Sequence, residues 1–271
     1  MTDFAMGPAL LFCPADRPER YAKAADRSDA VILDLEDAVA PENKAAAREA
    51  LIANPLDPAR TIVRVNPAQT HDFAQDLQAL HETNYRTIML AKAEGGEDLW
   101  AISGFRVIAL CETARGVLKA SELAGEPNVV ALMWGAEDLV ASLGGTASRK
   151  DDGGYRDIAR HARSTVLLAA AAAGKQAVDA VYVNIPDLDG LADEARDAVA
   201  SGFSMKACIH PSQVEAIRAA YRPSAEEEQF ARDLLAEAQH HGGVFTFRGK
   251  MVDGPILRHA EQTLRRAAHQ R

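Results

Sequence analysis

Cysteine is scarce in this chain: 271 residues contain three, Cys13, Cys111 and Cys208, and none forms a CxxC pair. Each lies inside an apolar, strand-like run. An odd number without metal-ligand spacing argues against a disulfide framework or a zinc site and for reduced, buried thiols in a cytosolic protein. A nucleophilic thiol is the alternative. Positive charge is also in deficit, with 30 Lys+Arg against 39 Asp+Glu and a formal net charge of −9. That balance excludes the basic footprint of a nucleic-acid binder, so any phosphate-bearing ligand needs local cations. No apolar run approaches the ~18 residues of a membrane span. The opening "MTDFAMGPALLF" lacks the positive n-region and apolar length of a signal peptide. A cytoplasmic protein with no membrane partner is expected.

Glycine is missing where a dinucleotide-binding fold would use it. The first strand-to-helix turn reads "CPADRPER", which counts against a doubly wound open sheet. Eight short apolar runs are present instead: 9–14, 30–37, 61–66, 87–92, 107–113, 129–138, 177–184 and 205–211. They are continuous rather than alternating, as buried parallel strands are. Helical patterns lie between them, with Pro18 and Pro41 suited to first turns and Gly174 to the stop of a long Ala-rich helix. The pattern predicts an α/β protein, a TIM (β/α)8 barrel over residues 1–222. Residues 223–271 then form a C-terminal extension: a helix, two extended pieces about Arg248-Gly249, and a last helix. It reads as an end cover, an oligomer contact or a lid.

Barrel active sites form at the C-terminal ends of the strands. Those ends carry Asp34, Glu36 and Asp37, then Arg64 and Asn66, Lys92, Glu112, Glu137 and Asp138, Asn184 and His210. Asp37 and Asn184 read as structural. Glu112 and Asp138 end adjacent strands, about 4.8 Å apart, and carboxylates that close need a cation or a proton between them. Mg²⁺ suits one or two carboxylates plus water and substrate oxygens, with Mn²⁺ admissible. A Lys-paired or proton-sharing couple is the plain alternative. Arg64 can clamp a substrate carboxylate, pair with the strand-2 acids, or do both if Glu36 orients it. Lys92 reads as an ion-pair partner, because nearby carboxylates would keep it charged against any Schiff-base role. The glycine-rich stretch 144–157 lacks a P-loop ending and reads as a rim loop.

Several ordered segments resemble one family: "LFCPADRPERYAKA", "DAVILDLEDAVAPENKAAAR", "VRVN", "IALCETARGV", "MWGAEDLVASLGG", "CIHPSQV" and "GKMVDGPILRHAE". Together they are similar to the HpcH/HpaI aldolase/citrate lyase family, in its citrate lyase β-subunit-like branch with the malyl-CoA and citramalyl-CoA lyases. The resemblance implies a Mg²⁺-dependent barrel that cleaves or forms a carbon–carbon bond beside a CoA thioester. It implies Glu112 and Asp138 as metal ligands, and Arg64 and Glu112 at the substrate, with Glu36 orienting Arg64 and a water of the metal shell. Phe12, Arg17 and Lys23 fall at the CoA-contacting places; the last two otherwise read as solvated charges. Asp253 falls on the acid of a C-terminal lid that closes over a neighbouring subunit's site, in an oligomer expected to be a homotrimer. Three functions are open: a stand-alone lyase of malyl-, methylmalyl-, citramalyl- or hydroxymethylglutaryl-CoA type esters, giving a 2-oxo acid and an acyl-CoA; a citrate lyase β subunit needing partner subunits; and an inactive CoA-binding barrel.

Overall fold

The computed structural model describes residues 6–269. Eight parallel strands, β1 (Ala9–Pro14), β2 (Ala30–Asp34), β3 (Thr61–Val65), β4 (Thr87–Leu90), β5 (Arg106–Cys111), β6 (Val129–Trp134), β7 (Gln176–Asp179) and β8 (Met205–Cys208), pair in sequence order. The sheet closes where Leu10 of β1 registers with Ala207 of β8. This is the expected TIM barrel. β2, β3 and β6 are buried at every position. Inward side chains alternate with those facing the helices, so Leu10, Ile32, Ile62, Met89, Ile108 and Met133 meet in one cluster.

The surrounding helices are α1 (Tyr21–Arg27), α2 (Lys44–Ala53), α3 (His71–His81), α4 (Ala114–Leu118), α5 (Ala120–Gly125), α6 (Ala136–Ser142), α7 (Asp157–Ala172), α8 (Leu188–Ser201) and α9 (Val214–Tyr221). Their starts are chemically marked. The Thr113 hydroxyl accepts from the Gly116 N–H at 3.0 Å, satisfying an orphan donor of α4. α7 stops at Ala172, and Gly174 takes the left-handed turn at φ +66°.

Three expectations need correction. β4 is followed by a 3-10 segment, Gly96–Ile102, not an α-helix; a stretch that short, opened by two glycines, has little to hold a full helix. The strands also end sooner than their apolar runs. β6 stops at Trp134 and β7 at Asp179, so Asp138 lies in the first turn of α6 and Asn184 in an exposed loop. The reason is that loop residues at the mouth stay buried after the ladder ends: Leu35 is fully buried beyond β2. His210 likewise caps a 3-10 turn, accepting from the Ser212 N–H at 3.2 Å, and is exposed.

The chain divides into two compact units between Ile217 and Arg218, within α9. The second contains α10 (Ala225–Ala238), a hairpin of β9 (Phe245–Phe247) and β10 (Lys250–Val252), and α11 (Gly254–His269). Ser224 and Glu227 form a reciprocal capping box for α10. The hairpin turns on Arg248 and Gly249, at φ +45° and +78°. Ala231, Leu234, Phe245, Val252 and Ala260 form this unit's own apolar cluster. Among the described residues no helix is long and apolar enough to cross a membrane.

Candidate active site

The acidic end of β2 is built around one guanidinium. Asp34 and Arg64 are register partners on β2 and β3. Arg64 donates from Nε to Asp34 Oδ1 at 2.7 Å and from Nη2 to Oδ2 at 2.6 Å. Asp34 also accepts the N–H groups of Glu36 at 2.9 Å and Ala38 at 3.2 Å. A fully buried carboxylate needs such complete pairing, so the strand can end in acids without a stranded charge. Nη1 of Arg64 lies 3.2 Å from Glu36 Oε2, and its Cζ lies 4.8 Å from the Phe12 ring centroid. Burial lowers the Arg64 pKa, but Asp34, then Glu36 and Glu112, more than reverse this. Among the strand-2 acids, Asp34 holds the larger share of the fork and Glu36 takes the remaining Nη1.

Glu112 directly follows β5 and is 2 % exposed. Its Oε1 accepts from the Lys92 backbone N–H at 3.1 Å. Burial first, then the neighbouring Asp138, pushes its carboxyl up to about 8, against the pull of Arg64 and Lys92. Lys92 Nζ contacts Glu36 and lies 3.1 Å from Asp37 and 3.5 Å from Asp138. Burial lowers the Lys92 pKa, but Glu36, Glu112 and Asp37 raise it overall, which favours a charged ion-pair partner. Among the described residues no three Asp, Glu, His or Cys side chains converge on one point. The hard-oxygen pair Glu112 and Asp138 fits a divalent cation that takes its other ligands from water or substrate.

Phe12, Arg64, Glu112, Glu137, Asp138 and Val181 share one cavity of about 230 Å³. Arg17 and Lys23 are exposed on the segment after β1, with Arg17 3.8 Å from Asp16, and neither is among the cavity's lining residues. Asp253 belongs to the second unit, where its Oδ1 accepts from Ile256 N at 3.4 Å at the start of α11. All three thiols are buried, and burial pushes Cys13 up to about 11 and Cys111 up to about 12. Sequence reasoning overlooked Gly135. A Cβ there would stand 2.8 Å from Glu112 Oε2 and 2.9 Å from Glu112 Cβ, so only glycine lets the chain pass this carboxylate between β6 and α6. A glycine between a strand's last apolar residue and an acidic pair was the available signal.

Residues 9–211 match the family described as HpcH/HpaI aldolase/citrate lyase. A citrate lyase subunit beta-like protein of Mycobacterium tuberculosis is 57% identical over 263 residues, covering 97% of this chain and 96% of its own. Human mitochondrial citramalyl-CoA lyase is 31% identical over 290 residues, covering 94% of this chain and 84% of its own. The crystal structure of CitE from Mycobacterium tuberculosis in complex with magnesium, acetoacetate and coenzyme A superimposes with a TM-score of 0.93 at 56% identity, covering 98% of this chain and 99% of that one. A match running through all eight barrel strands, carried by relatives of nearly equal length, means that the chain belongs to the HpcH/HpaI aldolase/citrate lyase family, as a citrate lyase beta-like protein related to the citramalyl-CoA lyases.

Proposed function

We propose that this chain is a magnesium-dependent carbon–carbon lyase acting on a 3-hydroxyacyl-CoA thioester of the malyl-, methylmalyl-, citramalyl- or hydroxymethylglutaryl-CoA type. The observation that carries the reading is Arg64, locked by Asp34, in one cavity with the carboxylates Glu112 and Asp138. Asp34 occupies the Nε/Nη2 edge of the guanidinium, so the substrate carboxylate takes its remaining N–H groups. Glu36 holds Arg64 from one side and Lys92 from the other. Bound at Glu112 and Asp138, magnesium supplies Lewis-acid polarisation and a template for substrate oxygens. Mn²⁺ fits the same donors.

The reaction removes the proton of the 3-hydroxyl. The carbon–carbon bond then breaks, and its electron pair passes to the thioester α-carbon as an enolate. The products are an oxo acid (a 2-oxo acid from the malyl, methylmalyl and citramalyl esters, a 3-oxo acid from the hydroxymethylglutaryl ester) and, after protonation, an acyl-CoA. In the reverse direction a carboxylate takes the α-proton of the acyl-CoA; the reading assigns this to Asp253, acting in a homo-oligomer, with a trimer expected. Phe12, Arg17 and Lys23 receive the CoA portion. CitE of Mycobacterium tuberculosis, crystallised with magnesium, acetoacetate and coenzyme A, supports the ligand set.

A second reading, a citrate lyase β subunit working on a carrier-protein thioester with partner subunits, is favoured by the name of the 57% identical relative. Incubating the purified chain with a panel of 3-hydroxyacyl-CoA esters and Mg²⁺, read by mass spectrometry, separates the two. Cleavage of a free CoA ester that stops with excess chelator and in Glu112→Gln supports the lyase. No turnover without co-purifying subunits supports the second reading. Turnover undiminished by chelator refutes the metal assignment.

A further inference from the structure

Lys92 combines three features that the chemistry above does not use. It has φ +50°, one of three non-glycine residues with positive φ among the described residues. Such a backbone is uncommon for a side-chain-bearing residue and persists where its surroundings impose it. Its two ends serve different acids: the backbone N–H donates to Glu112 Oε1 at 3.1 Å, while Nζ, half-buried, reaches Glu36, Asp37 and Asp138. And Lys92 is the one ion-pair partner found for the Asp138 side chain among the described residues.

Resting on the metal reading, we propose that Lys92 is a resident counter-ion of the carboxylate pair. Its ammonium holds Asp138 while the divalent cation is absent and yields Asp138 when the cation binds. The distances suit this exchange. The contact to Asp138, at 3.5 Å, is the longest of the three, and Glu36 and Asp37 remain to take the ammonium once it lets go. A divalent cation bound to Asp138 at about 2.0–2.1 Å would sit close to that ammonium, and the two positive charges repel. Lys92 therefore weakens cation affinity and keeps the metal-free mouth from carrying Asp37 and Asp138 uncompensated. It is a positioning residue, distinct from the ligands themselves.

The sign of the effect distinguishes this role from a merely structural one. Damage to the mouth weakens cation binding, whereas removal of a competing charge tightens it. Lys92→Met and Lys92→Gln both delete the charge but retain the main-chain N–H to Glu112. Calorimetric titration of Mg²⁺ into chelator-treated protein, without substrate, should give about 3- to 5-fold tighter binding for both, the size set by a partly exposed ion pair. Lys92→Arg should bind as the wild type does. In melting experiments the rise in Tm on adding Mg²⁺ should be larger for Lys92→Gln than for wild type. Equal or weaker binding by the folded Met and Gln variants overturns the proposal and leaves the metal reading standing. Failure of the wild type to bind Mg²⁺ overturns both.

Discussion

Arg64 and Gly135 each determine where a single charged group stands, and each makes a separable prediction. The Arg64 guanidinium spans both oxygens of Asp34 and still lines the cavity. An ammonium can sit opposite Asp34 but cannot span both its oxygens and face substrate as well. Arg64→Lys should therefore lower kcat/KM at least ~10-fold, the loss of one charge-assisted hydrogen bond, while Mg²⁺ affinity stays near that of the wild type. Arg64→Ala is a poorer test, because it strands the fully buried Asp34 and costs stability as well. Gly135→Ala acts on the other group. The added methyl meets Glu112 at 2.8 Å and 2.9 Å, and Glu112 is tied on its far side to the Lys92 N–H. Mg²⁺ binding measured by calorimetry should weaken by about 10- to 100-fold, the usual cost of disturbing the support of a metal ligand. Undiminished binding would show that Glu112 does not hold the cation.

Elements set the limits of what the sequence disclosed. Strand-like runs separated by helical patterns made the barrel readable, and the strand ends named Arg64, Glu112 and Asp138 before any coordinates. What stayed hidden depends on cross-strand register. Asp34 is the principal partner of Arg64 only because β2 and β3 align them. The same holds for Asp179 at the end of β7, inside the apolar run 177–184. Asp179 is fully buried and registers with the fully buried Lys206 of β8. It accepts from Trp134 Nε1 at 2.7 Å, Arg163 Nε at 2.9 Å and Lys206 Nζ at 3.0 Å. The ends of β6 and β7, strand β8 and helix α7 are thus tied to one carboxylate. Burial raises its pKa, but Lys206 and Arg163 outweigh this and hold it below the ordinary 3.8. A depressed carboxylate contributes stability that is complete above the unfolded value and lost as pH falls through the folded one. Asp179→Asn should cost about 2–3 kcal/mol near neutral pH, at or below the lower end for a broken buried pair, because Lys206 keeps Glu194 at 2.9 Å and Arg163 keeps Asp197 at 2.6 Å. Denaturant titrations stepped downward from pH 5 should show the wild type losing its advantage over the variant below about pH 4. A constant difference between the two proteins would refute the charge-based account.

At the scale of the whole molecule, the chain carries a second compact unit with its own apolar cluster beyond a barrel that is already closed. A barrel needing only its own mouth has no use for that unit's Asp253, whose side chain accepts from Ile256 N at the start of α11. Asparagine can keep that acceptor while losing the ability to take a proton. Asp253→Asn should therefore preserve the helix start, Mg²⁺ affinity and thioester binding, yet lower kcat by at least the ~10² of a lost general acid/base. If the acid serves a neighbouring copy, inactive Asp253→Asn and inactive Glu112→Gln proteins regain activity when mixed, because a mixed oligomer holds some sites with both acids intact. Sedimentation analysis first establishes the oligomer, and exchange of a fluorescently labelled chain establishes mixing. Exchange without recovered activity would place the work of Asp253 within its own chain, and an Asp253→Asn protein with wild-type kcat would remove it from the reaction altogether.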